Sequence, residues 1–358
     1  MDGIRIERPL PPEDLEYVRR EAAGLWPDLK GANIFLTGAT GFFGRWLLES
    51  LFLANERDGL GAHVVALSRN PDTFLHAAPH LAIPGLRWLK GSVATLAADA
   101  LTGEKFDIVI HLATEADMQA TAGDPQAAIG VITDGTRRVL EAAVRTGARR
   151  LLFTSSGAVY GPQPSDMEQI TETYEGRPNP MDGVYPYALP GEAKRQAEVL
   201  CIDYARQKGL GAVIARCFTF AGPGLPTEGK FAFGNFMSDA IGGRPILIKG
   251  NGTTVRSYLY AADLAIWLWT LLLRGTPGRA YNVGSEQPIT MSQLAEIISS
   301  ELGAQGIEIL EQPRPSGAID RYVPSTQRAR AELGLREKFS LPEVIQRTAA
   351  WQRTAVKH

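Results

Sequence analysis

A hydroxyl, a phenol and a lysine held together can interconvert a carbinol and a carbonyl, and this chain carries all three in two short stretches. The first is Phe153-Thr154-Ser155-Ser156-Gly157-Ala158-Val159-Tyr160-Gly161, an apolar run that ends in hydroxyls. The second is Tyr185-Pro186-Tyr187-Ala188-Leu189-Pro190-Gly191-Glu192-Ala193-Lys194-Arg195-Gln196-Ala197-Glu198, which opens a helical pattern. In such a set the lysine cation lowers the phenol pKa so that it acts as a base, and the serine holds the substrate oxygen.

These groups meet only if a fold brings both stretches to one edge. The apolar run from Asn33 to Leu36 enters Thr37-Gly38-Ala39-Thr40-Gly41-Phe42-Phe43-Gly44, and an apolar helical pattern leaves it. Strand, tight turn and helix in that order let backbone amides and a helix N-terminus receive a pyrophosphate. Gly38 permits the turn, Gly41 the close approach of the phosphates and Gly44 the packing of helix on strand. Gly38, Thr40, Gly41, Phe42, Phe43 and Gly44 are therefore the expected dinucleotide contacts.

The next strand, His63 to Leu67, ends in Ser68-Arg69-Asn70, where an acid often holds the ribose hydroxyls of NAD. A neutral Ser68 and a cationic Arg69 suit a 2′-phosphate better, which leans the NAD(P) expectation toward NADP; an arginine merely solvated on a loop is the alternative. Ser92 and Val93 are expected beside the adenine. Leu112, Ala113 and Thr114, ending the run from Asp107, are expected beside the nicotinamide ribose. His111 in that run reads as a packing residue.

Strands are expected at 33–37, 63–67, 86–89, 107–111, 149–154 and 211–216, with helices at 42–56, 124–146 and 190–208. That alternation is α/β: a Rossmann-like, doubly wound parallel sheet. Hydroxyls ending a parallel strand point into the crevice where such folds bind ligands. After about Pro223 the texture changes to helix 231–242, strands 246–248 and 254–259, helix 261–274, strand 280–283 and helix 290–303. The expected division is a helical extension over 1–30 with a helix at 12–24, a dinucleotide domain over 31–222, and residues 223–358 forming mainly a smaller C-terminal substrate lobe, interwoven with it.

The 358 residues bury a substantial core. A formal net charge of −2 offers no basic surface for nucleic acid. Two cysteines, Cys201 and Cys217, make neither a disulfide framework nor a metal site, and they suit a reducing cytoplasm. The apolar run near 261–273, interrupted by Asp263, is too short for a bilayer, so no membrane is expected.

Taken in order, these motifs resemble the extended short-chain dehydrogenase/reductases, in particular the NAD(P)-dependent nucleotide-sugar epimerase/dehydratase family. The resemblance runs from Thr37 to about Leu333. It includes the glycine turn, Val109-Ile110-His111-Leu112-Ala113, the Thr154 to Gly161 stretch, Lys194 with its trailing Ala197-Glu198, and Arg216-Cys217-Phe218 before Ala221-Gly222-Pro223-Gly224. It continues through Gly250-Asn251-Gly252, Arg256-Ser257-Tyr258 and Tyr281-Asn282-Val283-Gly284. By resemblance Ser156 is the catalytic hydroxyl and Lys194 the lysine. The resemblance also implies a nucleoside diphosphate held between the lobes, with Asn235, Arg256 and Arg314 aimed at it, and a homodimer formed through the two helices flanking the site. Phe231, Phe233 and Phe236 read as lobe packing, Asp263 as a helix cap, and Glu192 and Glu198 as solvated or paired helix residues.

Two departures stand out. The family places its tyrosine four residues before the lysine, on the same helical face; here Pro190 stands there, and Tyr187 is seven residues before Lys194. Tyr187 is the first candidate for the phenol, Tyr185 the second, and loss of ordinary redox chemistry the third possibility. Sugar 4,6-dehydratases of the family carry acids just after the hydroxyl, where this chain has Gly157 and Ala158, so dehydration is disfavoured. The expectation is an epimerase or keto-sugar reductase acting on a nucleotide-linked sugar. The alternatives are an oxidoreductase for a non-sugar alcohol or ketone, and a dinucleotide-binding protein without turnover.

Overall fold

Short β-branched strands alternate with helices from Asn33 onward in the computed structural model, which describes residues 8–97, 99–113, 124–179, 187–229, 231–311 and 320–353. Thr114, Tyr185 and Arg314 lie outside the described residues. The first elements are α1 (Pro12–Glu21), β1 (Asn33–Thr37), α2 (Phe42–Asp58), β2 (His63–Ser68), α3 (Pro71–Ala77), β3 (Leu86–Lys90) and β4 (Ile108–His111). Next come α4 (Pro125–Thr146), β5 (Arg150–Ser156), α5 (Ala188–Lys208), β6 (Gly211–Cys217), β7 (Phe220–Ala221), α6 (Ala232–Ile241) and β8 (Ile246–Ile248). The chain continues through β9 (Val255–Arg256), β10 (Leu259–Tyr260), α7 (Ala261–Arg274), β11 (Ala280–Val283), β12 (Ile289–Thr290) and α8 (Met291–Leu302). It closes with β13 (Ile307–Ile309), α9 (Gln327–Leu333) and α10 (Leu341–Arg353).

The main sheet has the order β11-β6-β5-β4-β1-β2-β3. From β3 to β6 every neighbouring pair is parallel. The strand order reverses between β1 and β4, and such a switch point opens a ligand crevice beyond the strands' carboxyl ends. The doubly wound α/β expectation is met.

Local chemistry explains the helix ends. Pro125 sits in the first turn of α4, where its missing N–H costs nothing, and the Asp124 carboxylate accepts the Ala127 amide at 3.0 Å. Gly147 (φ +83°) and Gly209 (φ +68°) end α4 and α5 in the left-handed conformation that only glycine adopts without strain. Between the sheet and these two helices lies a core of Phe35, Val109, Leu151, Phe153 and Ile214 against Ile132, Val139 and Leu140 of α4. Each large apolar side chain there contributes about 1.5–3 kcal/mol. From α5 the same core receives the small residues Ala193, Ala197 and Cys201. Their spacing of four makes one narrow helical stripe, so α5 lies close to the sheet and carries Lys194 and Glu198, one position on, beside the end of β5.

The chain clusters into two units. The first holds residues 1–161, 175–217 and 265–281; the second holds 162–174, 218–264 and 282–358. The strand at 280–283, read from the sequence as part of the C-terminal lobe, instead joins the large sheet beside β6. The single strand expected at 254–259 is two: β9 pairs with β12 and β10 with β7, so its halves follow different partners. The N-terminal extension belongs to the first unit. There the Glu49 carboxylate of α2 accepts the Leu10 amide at 2.7 Å, and Trp26 stands edge-on to Trp269 at 5.8 Å. No helix among the described residues is long and apolar enough to cross a membrane.

Candidate active site

The glycine turn has the shape a pyrophosphate cradle needs. Gly38 has φ +75°, and a Cβ there would lie 2.7 Å from the Ala113 amide nitrogen and 2.8 Å from the Leu112 carbonyl carbon. At Gly44 a Cβ would meet the Gly38 oxygen at 2.5 Å and the Ala39 backbone at 2.6 Å, so α2 packs directly on the turn. A Cβ at Gly41 would meet only the Gly38 oxygen, at 3.4 Å, which leaves its outer face bare at the first turn of α2. The first amides of that helix lack intrahelical acceptors and point to the same place. These residues fit a dinucleotide.

The other expected cofactor contacts among the described residues are in varied states. Thr40 is exposed, and Phe42 and Phe43 are half-buried with their rings 5.9 Å apart. At the end of β2 the Ser68 hydroxyl is buried and accepts the Asn70 amide at 3.3 Å, while Arg69 is exposed. Ser92 accepts the Ala94 amide at 3.3 Å. Val93 is buried in the core against Gly135 of α4, so what it offers an adenine is backbone. Leu112 and Ala113 follow β4 directly and lie against Gly38.

Ser156 is the last residue of β5, and its hydroxyl oxygen accepts the Ala158 amide at 3.1 Å. The tight turn that follows, Gly157–Tyr160, is buried. Alongside it α5 closes in without a side chain at Gly191, where a Cβ would meet the Ala158 oxygen at 2.6 Å. Lys194 is buried, donates from Nζ to the Thr154 carbonyl at 2.6 Å, and lies 4.6 Å from the centre of the Phe153 ring. Burial lowers its pKa to about 8, with the Cys217, Cys201 and Glu198 groups opposing. The structure thus brings Lys194 to the strand end that carries Ser156.

Tyr187 enters the helix that carries Lys194. It is the residue just before α5, is 44% exposed, and its carbonyl accepts the Gly191 amide at 2.8 Å. Pro190 falls in the first helical turn, where proline fits. The helix therefore runs unbroken from Ala188 past Lys194, and seven residues at 1.5 Å each put the two backbones about 10 Å apart along its axis.

A network that periodicity does not reveal braces the same strand end. Glu198, one turn after Lys194, is buried; it accepts the Ser155 hydroxyl at 2.6 Å and the Arg216 guanidinium at 3.0 Å and 2.6 Å. Arg216 also donates to the buried Tyr160 hydroxyl at 2.9 Å and covers its ring at 4.8 Å. Ser155 therefore spends its hydroxyl on the core and leaves Ser156 as the outward one. Arg216 pairs in register with Ser155 across β5 and β6, so the partner of Glu198 lies on a strand of the sheet and not one turn along its own helix.

In the second unit Asn235 donates to the Gly229 carbonyl at 2.9 Å. Arg256 binds the Asp320 carboxylate at 2.6 Å and lies over the Tyr322 ring at 5.8 Å. Phe233 and Phe236 are buried as expected of packing residues, whereas Phe231 is exposed. Asp263, read as a helix cap, reaches beyond its own helix and accepts the Lys338 amide at 2.8 Å.

Comparison with known proteins bears on what such a site does. The model of the NAD dependent epimerase/dehydratase family matches residues 34–284. The dTDP-glucose 4,6-dehydratase of Streptomyces niveus is 26% identical over 325 residues, covering 90% of this chain and 93% of that protein. The UDP-glucuronic acid decarboxylase 6 of Arabidopsis thaliana is 31% identical over 314 residues, covering 87% and 86% respectively. Among solved structures, UDP-glucose 4-epimerase of Thermotoga maritima with UDP-glucose shares the fold at a TM-score of 0.78 and 22% identity, covering 91% of this chain and 100% of that one.

Proposed function

The chain belongs to the NAD-dependent epimerase/dehydratase family, and on that ground we propose that it is a cytoplasmic epimerase or keto-reductase of a nucleotide-linked sugar. One observation carries this reading: the glycine turn follows β1 and Ser156 ends β5 at the carboxyl edge of the same parallel strands, and Lys194 of α5 is held to β5 through the Thr154 carbonyl. Bound in the turn, NAD(P) would supply a nicotinamide that takes up and returns hydride. Ser156 would hold the sugar oxygen by its hydroxyl, and Lys194 would keep a positive charge beneath it. Tyr187 would take the carbinol proton from the loop that enters α5. Asn235, Arg256 and Arg314 would hold the diphosphate, for which Arg256 must exchange its contact with Asp320. The dehydratases and decarboxylases among the relatives keep elimination within the family's range. Against elimination here stands the buried Gly157-Ala158 turn, which places no acid beside Ser156.

Product mass separates these reactions: unchanged for an epimerase, raised by two hydrogens for a reductase, lowered by one water for a dehydratase. Tyr187→Phe is expected to slow turnover by roughly 10²–10⁴-fold, the usual contribution of a positioned acid–base group. Turnover that survives the change removes Tyr187 from the mechanism. A second reading, a dinucleotide binder without turnover, is favoured by Pro190 alone, since it removes the phenol one turn before Lys194.

Arg69 at the end of β2 supports a preference for NADP. Arg69→Ala should weaken NADPH binding by about tenfold, the worth of one charge-assisted hydrogen bond, and leave NADH binding unchanged. Equal binding of both dinucleotides by the wild type would sink the preference. The outer faces of α4 and α5 expose Val144, Leu189 and Val199, the last at 65%, and we propose that a second copy covers them. Val199→Glu should then shift the sedimenting species from dimer to monomer; a wild type that sediments as a monomer at every concentration contradicts it.

A further inference from the structure

We infer that His111 is a positioning residue for the nucleotide turn: its neutral ring, protonated on Nε2, couples Thr136 of α4 to Thr37 of β1 and through it to the Ala113 backbone. The inference rests on the reading of Gly38–Gly44 as the cofactor turn.

The hydrogen bonds determine where each proton sits. The Thr136 hydroxyl lies 2.6 Å from the Ile132 carbonyl and 3.0 Å from His111 Nε2. A carbonyl only accepts, so the single proton of Thr136 goes to Ile132, and Thr136 must accept from the ring. Nε2 therefore carries the hydrogen. The other nitrogen, Nδ1, then presents a lone pair to Thr37 Oγ1 at 2.7 Å, and Thr37 donates to it. Thr37 keeps a lone pair for the Ala113 amide, which donates to it at 3.2 Å. Every proton has one acceptor. The opposite tautomer would set two lone pairs against each other at Thr136 and leave a buried polar group without a partner. All three side chains are buried, with Thr37 at 0%, His111 at 1% and Thr136 at 1% exposure. Burial, and then the Lys194 charge, lowers the imidazole pKa to about 3, so the ring stays neutral at working pH.

The relay ends where the turn begins. Gly38 directly follows Thr37, and its missing Cβ is the space occupied by the Leu112–Ala113 peptide. The Thr37–Ala113 bond therefore sets how the glycine turn and the end of β4 face each other. The strand ladder already holds Leu112 to Thr37 through the Leu112 amide at 3.1 Å. The next peptide is outside that ladder, and the threonine hydroxyl holds it. His111 fixes which way that hydroxyl points.

The test uses the full-length protein. Ring nitrogen NMR should show a buried histidine in the Nε2–H form. Thr136→Val keeps the shape and removes the acceptor; it should raise the Kd for NADH or NADPH about tenfold, the worth of one buried hydrogen bond, and speed exchange of the Ala113 amide. Thr136→Ser should restore both. An Nδ1–H or doubly protonated ring overturns the inference, as does a Thr136→Val protein with unchanged Kd and unchanged Ala113 exchange. A wild type that binds neither dinucleotide overturns the cofactor reading instead, and ring form and amide exchange then decide the coupling alone.

Discussion

Lys194→Met is expected to remove turnover, by roughly 10³-fold or more, while the protein stays folded. Methionine matches the apolar part of the lysine stem, and the Phe153 ring on which the amine rests accepts a thioether readily. Only the charge and the Nζ bond to the Thr154 carbonyl disappear. A positioned acid–base constellation contributes about 10²–10⁴-fold, and in the proposed mechanism this substitution removes the cation on which it depends. The substitution has a second signature in stability. The folded lysine has its pKa lowered to about 8 by burial, against 10.5 unburied. Between those values the unfolded chain holds a proton that the folded chain has lost, so wild-type stability from this group rises with pH, by up to ~1.4 kcal/mol per pH unit. Urea denaturation at pH 8 and pH 10 should show that rise in the wild type and not in Lys194→Met. Equal slopes in the two proteins would show that the amine is not desolvated.

Glu198→Ala should be the most destabilising single change near the site, by about 3–5 kcal/mol, because it strands a largely buried Arg216 guanidinium without its carboxylate. The Ser155 hydroxyl loses its acceptor in the same step. Removing both charges, as Glu198→Gln with Arg216→Gln, should cost distinctly less, since no buried charge is then left alone. The comparison is made by urea denaturation. A Glu198→Ala protein within about 1 kcal/mol of wild type would mean that water reaches Arg216, and the ion pair would not be what braces β5.

The parts of this fold legible in the sequence are those with a period. Strands β1 to β6 and helices α2, α4 and α5 carry apolar stripes bounded by glycine or proline, and each expected boundary falls within about two residues of the observed one. The glycine turn was legible because each glycine answers a separate steric need: φ +75° at Gly38, a bare face at Gly41, a backbone contact at Gly44. Pairs of two residues such as β9 with β12 have no period to read, because their pairing is decided by partners far along the chain. Side-chain networks escape for the same reason. Glu198 reads as an ordinary helix acid, and only the strand register that sets Arg216 beside Ser155 makes it a buried brace. Arg256 was legible as a cation, but not its engagement with Asp320. The tyrosine is the opposite case, since the seven-residue spacing to Lys194 is plain in the sequence and the unbroken helix preserves it.

The central claim is hydride chemistry on a nucleotide-linked sugar. Its most direct test follows the near-ultraviolet absorbance of reduced nicotinamide while wild-type and Lys194→Met proteins, loaded with NAD(H) or NADP(H), meet a panel of UDP- and dTDP-hexoses and their keto forms. The account predicts a substrate-dependent change in the wild type, transient for an epimerase and lasting for a reductase, and none in Lys194→Met. A wild-type protein that binds the dinucleotide yet shows no change and forms no product with any nucleotide sugar would contradict it.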